Sequence, residues 1–156
     1  MALTLITDRT TADVTRVKTL RSKINAEGWT ALTPVEQMEW LAGMKGSYNS
    51  NDLNRVGEAV QYLAGLLNGY GYPVTVNPKT DWVQGNIPTS TQMAAYLTDV
   101  AAIKARFYGT TEIPGAMNNL AYEQANNIEL LLLEVDTLII GMVTAFQYAG
   151  TFYAEE

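Results

Sequence analysis

IELLLLEVDTLIIGMVTAF, residues 128–146, decides the fold. Ile128, Leu131, Leu132, Val135, Leu138, Ile139 and Met142 recur at spacings of three and four, the period of an α-helix. Leu130, Leu133 and Ile140 fall between them, so this helix is apolar almost all round and is expected at the centre, packed on several sides. From Leu130 to Phe146 it is shorter than about 20 residues and carries Glu134 and Asp136, which reads as a buried helix and not a membrane span. Glu134 breaks the apolar run. It is expected to face solvent or to pair with an arginine of another helix, such as Arg55 or Arg106. Asn118 or Asn119 is the expected cap, and the aromatic tail 147–156 (QYAGTFYAEE) reads as a short extended segment.

Four more helical patterns precede it. Residues 1–8 form an extended arm; residues 10–26 then show Val14, Val17, Leu20 and Ile24 on one stripe, capped by Thr10 or Thr11 with Asp13 in the first turn. Thr33-Pro34-Val35-Glu36 is the sharpest local signal. Thr33 can accept from the third amide of the helix, Glu36 can reach back to the Thr33 amide, and Pro34 sits where no donor is needed. The short helix to Leu41 is expected to turn Val35, Met38 and Leu41 to one apolar side, with Trp29 and Trp40 anchoring it, and Gly43 and Gly46 ending it. Ser50 or Asn51 opens a helix to Leu67 with the stripe Leu53, Val56, Val60, Leu63 and Leu67; Gly57 and Gly65 within it each predict close approach by a neighbour. A helix from Thr89 or Ser90 to Phe107 turns Met93, Tyr96, Leu97, Val100, Ile103 and Phe107 inward.

Between these lie two Pro/Gly loops, 69–88 and 108–117, which are too rich in helix breakers to be helical. Val74 and Val76 alternate with polar neighbours, leaving room for one short strand or extended piece. Asn54-Arg55-Val56 faintly echoes Asn126-Asn127-Ile128, a spacing that two amphipathic helices share by chance. The expected fold is therefore mostly α: four to five helices packed around a long C-terminal helix, in one helical domain over residues 1–156, with two Pro/Gly loops and at most a short β-pair.

Composition narrows the chemistry. Ten Lys and Arg stand against sixteen Asp and Glu in 156 residues, a net charge of −6, and there is neither His nor Cys. Imidazole catalysis, thiolate nucleophiles, disulfides and Cys- or His-bound zinc are excluded. An oxygen-only metal site would suit Mg²⁺ or Ca²⁺, but the calcium-loop pattern is absent around Asp81 and Asn86, and no metal or other cofactor is expected. The pI near 4.6 argues against nucleic-acid binding. Only 17% of the chain is charged against about 25% in an average protein, so Asn, Gln, Ser and Thr make much of its surface, which suits burial against other chains. No signal peptide or membrane segment is read in the sequence.

The remaining constellations are carboxylates and loop aromatics. Glu36 and Glu39 are helix neighbours, and Glu134 and Asp136 point to different faces; no spacing among these, or with Glu123, favours the facing pair of a glycan hydrolase, and solvated helix surface is the expected role. GYGYP at residues 69–73 lacks the context of a phosphate loop. Tyr70, Tyr72 and Trp82 could stack on sugars, although loop aromatics more often plug gaps between helices.

Four phrases carry a family likeness: TDRT near the start, GWTALTPVEQMEWLAGMKGSYNSNDLNRVGEAVQYLAGLL, KTDW followed by IPT, and AYEQANNIELLLLEVDTLI. Across most of its length the chain resembles small proteins encoded among the tail genes of prophages in low-GC Gram-positive bacteria. The resemblance implies a virion structural or tail-associated protein with no cofactor or catalytic residue to carry over. It would act by homo-oligomerisation and by contact with other phage tail proteins, in the virion or in the host cytoplasm before assembly. Any receptor-binding domain would then be another polypeptide. The expected contact residues are Tyr70, Tyr72, Trp82 and Ile87 in the first loop and Tyr148, Phe152 and Tyr153 in the tail. A carbohydrate-binding module using the loop aromatics is the alternative, and a carboxylate-based cell-wall hydrolase ranks last.

Overall fold

Each of the first four helices starts where a side chain can take the place of a missing backbone partner. In the computed structural model, which describes residues 3–153 and side chains of residues 3–147, the helices are α1 (Thr11–Glu27), α2 (Pro34–Leu41), α3 (Ser50–Gly69), α4 (Ser90–Arg106) and α5 (Tyr122–Tyr153), with a 3₁₀ turn at Trp29–Ala31. Reciprocal capping boxes open four of them: Thr10 with Asp13, Thr33 with Glu36, Asn49 with Asp52 and Thr89 with Gln92. The α3 cap is Asn49, one residue before the expected start. The start of α5 is also displaced. Asn119 adopts a left-handed φ of 55°, which Asn tolerates but a helix does not, so the helix begins three residues later and Gln124 accepts the Ala121 amide at 3.0 Å. At its far end the backbone stays helical to Tyr153, where an extended tail was expected.

The fold is mostly α, as the periodicity indicates. Helices α3, α4 and α5 pack pairwise around one core. Leu63, Leu67, Ile103, Ile128, Leu131 and Leu132 lie at its centre, all fully buried. α5 is central to the bundle but covered on one side only: Leu130, Leu138 and Ile140 are 43%, 43% and 57% exposed. Among the described residues there is no strand. Residues 72–80 follow the Gly71 turn without helix, and their side chains alternate between half-buried and exposed. Tyr72, Val74 and Val76 point onto the bundle core.

Asparagine amides hold the extended segments in place of a partner strand. Asn68 accepts from the Val74 amide at 2.9 Å and donates to its carbonyl at 3.1 Å. Asn54 does the same to Trp82, at 2.8 Å each way. Asn126 does it to Arg9, at 3.0 Å each way. A primary amide has the donor–acceptor pair of a peptide unit, so one helix side chain can act as a single rung of a β-ladder. Asn54, Asn68 and Asn126 thus each clasp a non-helical segment against a helix.

Helices α1 and α2 form a separate small unit. Its core is Leu20, Leu32 and Met44, with Val17, Ile24 and Trp40 partly buried beside them. Val35, Met38 and Leu41 share one side of α2, and that side is uncovered: they are 68%, 65% and 57% exposed. Trp29 is also exposed and is no anchor. α2 is oriented instead by Glu36, which takes the Lys23 ammonium at 2.7 Å and the Thr33 amide at 3.0 Å. Gly46 is required at the hinge of this unit, because a Cβ there would lie 2.2 Å from the Asp13 carbonyl oxygen. Gly57 similarly admits the Lys79 carbonyl to α3, whereas Gly65 faces open space.

Candidate functional site

Two places concentrate unusual chemistry: a buried charge cluster and an apolar groove. The cluster forms where the N-terminal arm crosses α3 and α5. Arg9 Nη2 donates to Asp52 at 2.8 Å and to Glu129 at 2.6 Å. Arg55 reaches Glu129 with Nε and Nη2, both at 2.8 Å, and also pairs with Asp52. Glu129 is fully buried, and its second oxygen accepts the Ile6 amide at 2.7 Å. Arg9 Nη1 donates to the Ile6 carbonyl at 2.8 Å, and the guanidinium sits 5.4 Å above the Tyr48 ring. Burial disfavours a charged Arg55, but the Glu129 and Asp52 carboxylates outweigh it and hold its pKa above the ordinary value. Nearby, the Tyr48 and Tyr96 hydroxyls bond to each other, and burial pushes both phenols well up.

Chemically this is a clamp. Two cations neutralise two anions, and both carboxylates are saturated by guanidinium and amide donors. That leaves neither carboxylate free to trade a proton with a substrate. Among the described residues no three acidic side chains converge as a metal site.

The groove, about 820 Å³, runs along α4 beside loop residues 113–120. Ala94, Thr98 and Ala101 make its floor, with Met93, Met117 and Ile113 among its walls. Its lining has no charged side chain.

The carboxylates weighed from sequence do structural work in separate places. Glu36 holds α2, and Glu39 takes Arg16 at 2.8 Å. Glu123 lies exposed in the first turn of α5. Glu134 pairs with neither Arg55 nor Arg106; it accepts the Thr110 and Thr111 amides at 2.9 and 3.0 Å, and the Thr110 hydroxyl. Desolvation pushes this carboxyl up, but those donors prevail and hold it down at about 2.

The loop aromatics are not brought together as one platform. Trp82 is only 5% exposed, so it leaves the set of expected contact residues and offers no stacking face to a sugar. Tyr72 packs edge-on against Phe107 with ring centroids 5.1 Å apart. Tyr70 is half exposed and Ile87 is 90% exposed. The side chains of Tyr148, Phe152 and Tyr153 lie outside the described residues.

Sequence reasoning missed Arg9, Asp52 and Glu129. One signal was present: Glu129 and Asp136 fall at the helical period of Ala125, Ile128, Leu132, Val135 and Ile139, the inward face. A carboxylate on that face needs a cation, and Arg9 and Arg55 supply it to Glu129.

No protein-family model, no curated protein and no solved structure matches the chain. Among the described residues no helix is long and apolar enough to cross a membrane.

Proposed function

We propose that this chain is a non-enzymatic assembly protein that works by packing against copies of itself and against other proteins. One observation carries this reading: an uncovered apolar stripe runs along a helix, and further large apolar side chains are exposed on α5 and in the loops. Val35, Met38 and Leu41 follow one another on α2 at spacings of three, and Leu130, Leu138 and Ile140 are exposed at separate points of the uncovered side of α5. Aligned apolar surface of this kind marks sites of protein contact. The buried carboxylates of Asp52 and Glu129, by contrast, are committed to holding the fold.

The four phrases that resemble prophage tail-region proteins supply the setting. The chain then serves as a tail-associated or virion structural protein, present in the virion or in the host cytoplasm before assembly. In that setting Ile87 and Tyr70, with the tail aromatics, contribute to contact with other tail proteins. The acidic balance supports protein partners over nucleic acid.

Light scattering over a wide concentration range tests the self-association. A mass that rises with concentration is expected; a strict monomer at high concentration overturns this part of the reading. Neighbouring genes for tail fibres, a holin and a lysin are expected, and unrelated metabolic neighbours count against the tail setting.

A further inference from the structure

We infer that copies of this chain associate head to tail, with the α2 stripe Val35, Met38 and Leu41 of one copy lying in the α4 groove of the next. This rests on the self-association reading above and specifies its two faces.

The two surfaces fit in kind and in size. The stripe belongs to a short helix whose apolar side the parent chain leaves uncovered. Val35 to Leu41 spans about 9 Å of helix axis. The groove floor from Ala94 to Ala101 spans about 10 Å. Its floor residues are small and exposed, so a second helix can approach α4 closely. Met93 and Met117 on its walls are flexible and polarizable, able to shape themselves around Val, Met and Leu. No charge lines the groove, so an apolar stripe enters without stripping water from an ion.

Charge selects the second copy as occupant. Residues 11–46, which carry the stripe, hold five basic against four acidic side chains. Residues 50–147, which carry the groove, hold four basic against nine acidic. Two bundles, at −5 each, repel one another, whereas the N-terminal unit of one copy, at +1, is attracted to the bundle of another. Stripe and groove are different surfaces, so the contact is heterologous and repeats from copy to copy into a ring or an open chain.

The experiment uses the full chain and two variants at exposed positions, Met38→Glu in the stripe and Ala101→Glu in the groove floor. Both should keep the far-ultraviolet spectrum and melting temperature of the parent. Each alone should associate at least about tenfold more weakly than the parent, because the new carboxylate must be buried in an apolar contact. Mixed one to one, they retain one intact stripe and one intact groove, and analytical ultracentrifugation should show a dimer that grows no further. Added salt should weaken association of the parent. If the parent associates and either variant still associates as well, or the mixture stays monomeric, the head-to-tail contact is wrong while self-association stands. If the parent is itself monomeric, both fall together.

Discussion

The α3–α5 bundle and the α1–α2 unit are built from the same kinds of helix, yet they are held by different forces. The bundle buries a continuous apolar core in which Val56, Leu63, Val100, Ile128 and Leu132 have no exposed surface. The smaller unit buries three large side chains, and much of its order comes from capping boxes and exposed ion pairs such as Arg16 with Glu39. Surface pairs of that sort contribute about 0–1 kcal/mol each, against about 1.5–3 kcal/mol for each fully buried large apolar side chain. An amphipathic pattern therefore yields a stable element only where a partner exists to cover it. The arm joins the two regions, carrying Arg9 from the start of α1 into the bundle's only buried carboxylate pair among the described residues.

That joint is where the largest effect is expected. Glu129→Ala leaves buried Arg9 and partly exposed Arg55 with half of their counter-charge and should cost about 3–5 kcal/mol of unfolding free energy in urea titration. Hydrogen exchange at the Ile6 and Arg9 amides should rise with it, since Glu129 and Asn126 are their acceptors across the joint. A cost below about 1 kcal/mol would mean the two regions are not held by this cluster.

A matched pair of truncations sharpens the contrast. Leu63 and Leu20 are both fully buried. Leu63→Ala should lower global stability by about 2–5 kcal/mol. Leu20→Ala should leave the main unfolding midpoint nearly unchanged and raise exchange across α1 and α2 alone, because the smaller unit can open locally. Equal loss of the global midpoint in both would show one cooperative core.

Acid should produce the smallest and most local effect. The Glu134 carboxyl is held at about 2, below its ordinary 4.5. A carboxyl lowered on folding contributes stability that is complete above the ordinary value and fades as pH falls through the folded one. Glu134→Gln should accordingly flatten the bundle's loss of melting temperature between pH 4.5 and 2. The acid response of the smaller unit, set by Glu36 with Lys23 and the Thr33 amide, should persist. An unchanged acid profile in the variant would detach the Thr110–Thr111 loop from bundle stability.

Much of the fold was legible in the chain because it is encoded locally. The Thr33–Glu36 box, the stripes of α3 and α4 and the breaks at Gly69 and Pro73 each depend on residues a few positions apart. The candidate surfaces were less legible. Periodicity identifies an apolar face but not whether anything covers it, so Val35, Met38 and Leu41 read the same as Val56 and Leu63 although only the latter are buried. Trp82 errs in the opposite direction: its loop looks exposed, but Asn54 pins its backbone to α3 and the indole is buried in the core.

By itself the sequence determined the helical segments, with limits good to a few residues except at the C-terminal end of α5, the absence of imidazole and thiol chemistry, and the acidic balance. Those follow from spacing, capping chemistry and composition, which act within one turn or need no geometry at all. Only the tertiary structure decided which carboxylates face a guanidinium, which apolar stripes stay uncovered and which loop is strapped to which helix. Arg9 and Glu129 are 120 positions apart, and no local rule pairs them. What pairs them is the cost of leaving either charge buried alone, and that cost exists only once α3 and α5 have packed.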